Sequence, residues 1–164
     1  MKVLLLNGSP RKNGCTYTAL NVVADALKAE GIDAEVFQAG DPDMENVKAA
    51  AAKLKDSDAL VVGSPVYWAS PSGQIIEFMD RLASVAGKDM LYKPAAAVAS
   101  ARRAGTTATL DVLTKYFSYH QMPVVSSCYW NMVHGNTPEE VMKDEEGVQI
   151  MRVLGKNMAW LLKC

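Results

Sequence analysis

Long apolar runs are missing from this chain. The longest are strand-sized, such as "ALVV" and "AAAVA", far short of the ~20 residues that a helix needs to span a bilayer. The start, "MKVLLLNGSP", has too short an apolar run for a secretory signal and is followed by Arg11 and Lys12. A soluble, cytoplasmic protein with no membrane partner is expected. A charge excess is missing too. The formal net charge is -1, so no field gathers nucleic acid or an anionic membrane. Cysteine is scarce: Cys15, Cys128 and Cys164 are far apart, an odd count with no C-x-x-C, so neither a disulfide framework nor a zinc site is suggested. No catalytic triad or carboxylate pair stands out. There is no internal repeat and no Pro/Gly/Ser linker, so the 164 residues read as one domain, residues 1–164, with a sizeable core.

What is present is alternation. "KVLLLNG" reads as a buried strand and Thr16–Glu30 as a helix with Leu20, Val23, Ala24 and Leu27 on one face, stopped by Gly31. "DAEVFQA" alternates like an edge strand. Asp43 caps a helix to about Lys55. "DALVVGS" is a third strand, and Pro71–Ala86 a helix ended by Gly87. "PAAAVASA" is a fourth strand, Thr106–His120 a helix, and "MPVVSSCYW" the fifth strand. Pro138 opens a helical region to the C-terminus, with Gly147 and Gly155 as candidate breaks. Strand–helix alternation means right-handed crossovers and an α/β parallel sheet covered on both faces. The expected fold class is a flavodoxin-like, doubly wound, five-stranded parallel sheet of order 2-1-3-4-5. Its ligand crevice lies outside the carboxyl ends of the strands, where the loops Gly8–Thr16, Ser64–Gly73 and Ser100–Gly105 would meet.

The first loop, "NGSPRKNGCTYT", carries more chemistry than a turn needs. A plain β-turn is the simplest alternative. A P-loop requires G-x-x-x-x-G-K-[ST], but Gly8 and Gly14 are one residue too far apart and Cys15 replaces the lysine. Ser9-Pro10 breaks a dinucleotide G-x-G-x-x-G. A phosphate monoester fits the Ser9 and Thr16 hydroxyls, the Asn13 amide, the N–H groups near Gly14 and the start of a helix. Arg11 adds a cation able to pair bidentately; Lys12 reads as solvated. In the second loop, Tyr67 and Trp68 stand between Pro65 and Pro71. Exposed rings of this kind either pack against the first loop or a subunit contact, or meet a flat partner. Joined to a phosphate loop, they suggest flavin mononucleotide.

Taken together, "GSPRKNGCT", "SPVYWASPSGQIIEFMDRL", "ASARRAG" and "CYWNMVHG" resemble the NADPH-dependent FMN reductases, in the branch related to iron–sulfur flavoproteins. The resemblance implies that the first loop binds the FMN phosphate through Ser9, Arg11, Asn13, Gly14, Cys15 and Thr16. It implies that Pro65, Val66, Tyr67, Trp68 and Ala69 cup the isoalloxazine, and that Ser100, Ala101, Arg102, Arg103 and Gly105 border its pyrimidine end. It also implies NAD(P)H as electron donor, a small acceptor such as a quinone or flavin, and a homodimer or homotetramer. The family often has Asn where Cys15 stands. The iron–sulfur branch has closely spaced cysteines after the second strand, where "QAGDPDMENVKAA" has none, so a cluster is not expected here. Two other readings stay open: a one-electron carrier and a flavin-binding module without turnover. The rim loops hold Arg11, Lys12, Arg102 and Arg103 and no acid, unlike the acidic docking surface common in carriers.

Other polar residues have simpler expectations. Cys15, at a helix start, reads as a small filler under the phosphate, with a reactive thiol as the alternative; His120 reads as a helix-end or surface residue, and Asp80-Arg81 as a helix ion pair or surface feature. His134 follows the fifth strand on the crevice side. Tyr116, Phe117, Tyr119 and Trp160 suggest a subunit interface.

Overall fold

The computed structural model describes residues 1–164. Its elements in chain order are β1 (Lys2–Asn7), α1 (Cys15–Ala29), β2 (Asp33–Gln38), α2 (Met44–Lys55), β3 (Ala59–Tyr67), β4 (Ser70–Pro71), α3 (Gly73–Met90), β5 (Ala95–Ala101), α4 (Thr106–Tyr119), β6 (Met132–His134), α5 (Pro138–Lys143) and α6 (Glu145–Lys163). The sheet order is β2-β1-β3-β5-β6, with the two-residue β4 paired antiparallel to the end of β3. Leaving out β4, this is the flavodoxin-like order 2-1-3-4-5. All other pairs are parallel.

The strands are apolar throughout because both faces of a parallel sheet are covered. Val3, Leu5, Val61 and Val98 point to one side, against α1 and α6. Leu4, Leu6, Leu60, Val62 and Ala97 point to the other, against α2, α3 and α4. In α1 the buried stripe is Thr16, Ala19, Leu20, Val23, Ala24 and Leu27, the 3.6-residue spacing of a core-facing helix. Gly31, at φ 76°, ends it in the left-handed conformation usual after a helix. No helix is long and apolar enough to cross a membrane.

Four local expectations are corrected. The run "MPVVSSCYW" is not a continuous strand. It touches β5 at Val124, where Ala95 N–H donates to the Pro123 carbonyl and Val125 N–H to the Ala95 carbonyl. It then leaves the sheet and re-enters as β6 three residues long. Ser126 to Trp130 are too polar and bulky to be buried on both faces. Their stretch is held instead by side chains: Asn157 donates to the Ser126 carbonyl, the Ser127 hydroxyl to the Ile150 carbonyl, and the Asn131 amide to the Ala97 carbonyl. The second correction concerns α3. Pro71 belongs to β4, and Ser72 caps the helix by accepting from Ile75 N–H. The helix kinks at Ala86, then continues through Gly87 to Met90.

Third, the last helical region breaks at Asp144, not at Gly147 or Gly155. Asp144 caps α6 by accepting from Gly147 N–H. Gly155 lets α6 approach α1: a Cβ there would lie 2.6 Å from the Cβ of Ala26 and 2.8 Å from the Val23 carbonyl oxygen. Fourth, Phe117 is wholly inside the core beside Phe78 and Leu113. Trp160 lies on α6, across the sheet from Tyr116 and Tyr119 on α4. These four aromatics do not form one face. Arg81 does pair with Glu77 one turn earlier, while Asp80 accepts from the Tyr116 hydroxyl. His120 ends α4, its Nδ1 2.7 Å from the Tyr116 carbonyl oxygen.

Candidate functional site

At the carboxyl ends of β1, β3 and β5 the three loops meet around one cleft. Its wall includes Ser9, Arg11, Cys15, Thr16, Pro65 and Val66, followed by Tyr67, Ser100, Ala101, Arg102, Gly135 and Asn136. Sequence reasoning placed the first ten there. It missed Gly135 and Asn136, which follow the short β6. The "HGNTP" stretch gave a turn signal, but its register depended on where the broken fifth strand resumed. Asn13 faces elsewhere, into a depression beside Lys12, Tyr17 and Gln38. Gly14 forms the turn itself. Trp68, Ala69, Arg103 and Gly105 are not part of the cleft wall. His134 is exposed, and its backbone N–H donates to Asp144.

The first loop is fixed by buried polar groups. Asn7, fully buried, donates through its amide to the Lys12 carbonyl (3.2 Å) and to Gln38 (2.7 Å), and accepts from Ser9 N–H (3.2 Å). Gln38 in turn donates to the Ser9 carbonyl at 2.6 Å. Ser9 Oγ accepts from the Arg11 backbone N–H at 3.1 Å, and the Arg11 guanidinium is in no ion pair within the chain. Gly8 is required by close approach: a Cβ would lie 2.6 Å from Ile75 and 2.7 Å from the Gly63 carbonyl oxygen.

Helix capping separates the cleft from the rest of the fold. Helices α2, α3, α5 and α6 have side-chain caps from Asp43, Ser72, Thr137 and Asp144. Helices α1 and α4 begin after Gly14 and Gly105, with no side-chain cap. Of the two, α1 opens into the cleft, through Cys15 and Thr16. The first N–H groups of α1 therefore keep their donors for an anion, and the helix dipole favours one. Below them, Thr16 and Ser100 share a hydrogen bond at 2.7 Å in a buried hydroxyl layer. None of Arg11, Lys12, Arg102 or Arg103 is in an ion pair within the chain. The rim is a set of unneutralised cations around uncapped N–H groups.

Cys15 is half-buried there, its thiol 3.6 Å from the Gly135 carbonyl oxygen. Burial pushes its pKa up, against a smaller downward pull from Arg11. It is a packed thiol, not an activated one.

The opposite wall is a hairpin turned by Trp68 and Ala69. Both have positive φ, 52° and 57°, as a two-residue type I′ turn requires; Asn-Gly is the usual choice there. Each such non-glycine residue costs on the order of 1–3 kcal/mol. Gly105, at φ 104°, supports the turn: a Cβ on it would meet the Ala69 Cα at 2.6 Å and Val66 at 2.8 Å. Tyr67 points to the cleft, but Trp68 is 100% exposed.

This donor set matches a phosphate monoester carrying a flat ring. Uncapped N–H groups and hydroxyls serve the dianion, and the Pro65–Tyr67 wall serves the ring. FMN has that form. The three cysteines do not suit an iron–sulfur cluster, which is held by grouped thiolates. They are free and dispersed, and no group of three or more His, Cys, Asp or Glu could hold a metal ion.

Comparison with known proteins agrees with the geometry. The family model for NADPH-dependent FMN reductase matches residues 1–137. An iron-sulfur flavoprotein of Methanocaldococcus jannaschii is 29% identical over 99% of this chain and 98% of its own. An NADPH azoreductase of Bacillus sp. (strain OY1-2) is 30% identical over 62% of this chain and 59% of its own. Among solved structures, a flavodoxin from the domain Archaea superposes with a TM-score of 0.76, at 18% identity and full coverage of both chains. A flavone reductase superposes with a TM-score of 0.80, at 16% identity, over 99% of this chain and 63% of that one.

Proposed function

The chain belongs to the NADPH-dependent FMN reductase family, and we propose that it is an FMN-dependent oxidoreductase that takes electrons from NAD(P)H and gives them to a small acceptor such as a quinone or another flavin. Bound in the cleft, FMN supplies the hydride chemistry, and the protein supplies binding, orientation and charge.

Each wall has a task. The N–H groups at the start of α1, with Ser9, Thr16 and the Arg11 guanidinium, hold the phosphate. Pro65, Val66 and Tyr67, which line the opposite wall of the cleft, would lie along one side of the ring. Ser100, Ala101 and Arg102 line the far side of the cleft, where Arg102 or the backbone N–H groups of that turn would border the pyrimidine end of a bound ring and stabilise negative charge there. Arg103, exposed just beyond, is placed to draw in the phosphates of the donor nucleotide. The observation that carries the reading is the uncapped α1 N-terminus above a buried hydroxyl layer and beneath Arg11. The basic rim favours small anionic reactants over a carrier's docking surface.

Quenching of FMN fluorescence tests the binding step. Arg11→Ala should weaken FMN by about 1.5–3 kcal/mol, the range for hydrogen bonds to charged groups. Anaerobic titration with NADPH should then bleach the flavin absorption of the reconstituted protein. Unaltered FMN affinity in the variant removes Arg11 from the site. A bound flavin that neither NADPH nor NADH bleaches leaves a binding module without turnover.

A further inference from the structure

We infer that the groove between α4 and the Val124–Asn131 stretch is a second binding site, for a small, uncharged, flat molecule with an amide edge: a lactam or a ureide. The site exists because the sheet has a gap. Ala95, Ala97 and Ala99 turn their backbone groups to this edge of β5, as alternate residues of a parallel strand do. Ala95 is satisfied by Pro123 and Val125, and Ala99 N–H donates to the Asn131 carbonyl. Between these two points the chain has left the sheet. The Ala97 carbonyl accepts from the Asn131 amide at 3.0 Å, but the Ala97 N–H has no acceptor in the chain. Asn131 is only 9% exposed, and its Oδ1 has no donor. A donor and an acceptor left open beside each other in a protein interior are costly, and they mark a place that takes a partner.

The groove selects the partner. Ala97 and Asn131 line it together with Leu110 and Val124, and its volume is about 450 Å3, within the range of small-molecule sites. Tyr129 and Trp130 also line it, 50% and 57% exposed, with their rings packed edge to face at a centroid distance of 4.8 Å. A pair of rings held in this way offers a face to a flat molecule. The gap in the sheet is one residue long, because Val125 closes it at one end and β6 at the other. That is too short for a peptide strand and right for a single amide. The carbonyl of such an amide accepts from Ala97 N–H while its N–H donates to Asn131 Oδ1. The one charged side chain in the wall is Asp111. With no cation present, the groove disfavours phosphates and carboxylates, the reverse of the cleft at Arg11. The two sites share no residue.

Calorimetric titration of the FMN-loaded protein with carbostyril, a redox-inert, benzo-fused lactam, is the test. With the cleft already filled, one molecule should bind per chain. N-methylcarbostyril lacks the N–H and quinaldate is an anion; each should bind about tenfold more weakly or worse, because each leaves a buried group unpaired or unbalanced. Val124→Trp fills the groove from its exposed side and should abolish binding while FMN affinity and circular dichroism stay as in the wild type. Trp130→Ala, at a more exposed position still, should weaken carbostyril about threefold or more. Cys128, in the groove wall, gives a second readout: saturating carbostyril should slow its alkylation and leave the exposed Cys164 at its own rate. No binding, equal binding of the N-methyl compound or of quinaldate, binding that survives Val124→Trp, or a Cys128 rate that carbostyril does not change would each overturn the inference. The Cys128 readout works equally in the apoprotein, so the result stands whether or not FMN binds in the cleft.

Discussion

The two walls of the cleft are held in opposite ways. The Gly8–Gly14 loop sits in relaxed backbone and is tied down by a buried side-chain network of Asn7, Gln38 and Ser9. The Tyr67–Ser70 hairpin has no comparable network. It is bent through two non-glycine residues at positive φ, with a fully exposed indole at the tip. Buried hydrogen-bonded networks specify a single geometry, which suits a wall that must present N–H groups to an anion. Strain in the second wall persists only because the sheet and Gly105 impose it.

The largest effect expected from this contrast is at Gly40. A Cβ there would lie 2.0 Å from the Ser9 carbonyl oxygen, the acceptor that Gln38 uses. Gly40→Ala should push the first loop off its network, at a cost of about 2–3 kcal/mol in chemical denaturation, and should weaken FMN as well. Unchanged stability with unchanged FMN affinity would show that the network does not fix the loop. The hairpin should respond the other way. Replacing Trp68-Ala69 by Asn-Gly gives the turn its preferred residues and removes a ring that packs on nothing in the chain. Stability should rise by about 1 kcal/mol or more while FMN affinity stays close to that of the wild type. A loss of stability would mean that the strain is offset by contacts of Trp68.

The smallest effect is a chemical one. Cys15, in the rigid wall, should be alkylated more slowly at neutral pH than the exposed Cys128. Its raised pKa keeps it a thiol where a free cysteine is already partly thiolate, so its rate should climb only as the pH passes above the ordinary thiol range. Mass spectrometry of labelled peptides across that range reads this directly. Equal rates for Cys15 and Cys128 would mean that the first loop opens freely.

Much of this protein was legible in the residues. Apolar strands separated by helical periods dictate a parallel sheet covered on both faces, because no other packing buries such runs. The N-terminal loop announced itself by glycines, hydroxyls and a cation ahead of a helix. The same spacing, with Cys15 in place of the lysine, rules out a P-loop. Asp43 as a cap and Gly31 as a stop are local effects, and local sequence contains them.

Other features existed only once distant segments met. "MPVVSSCYW" has the composition of a strand. Whether it stays in the sheet is settled by Asn131, Asn157 and Ile150, which replace its ladder bonds from elsewhere in the fold. Gly155 looks like a helix breaker and is a contact point, because α1 lies against it. Trp68 was expected to join Tyr67 at the flavin, but the backbone twist at the end of β3 turns its ring out to solvent. Asn136 reaches the cleft only because β6 ends where it does. Periodicity and turn chemistry fix what each segment can become; which side chain arrives at the rim depends on register and crossing distance, and those are set by packing between segments far apart in the chain.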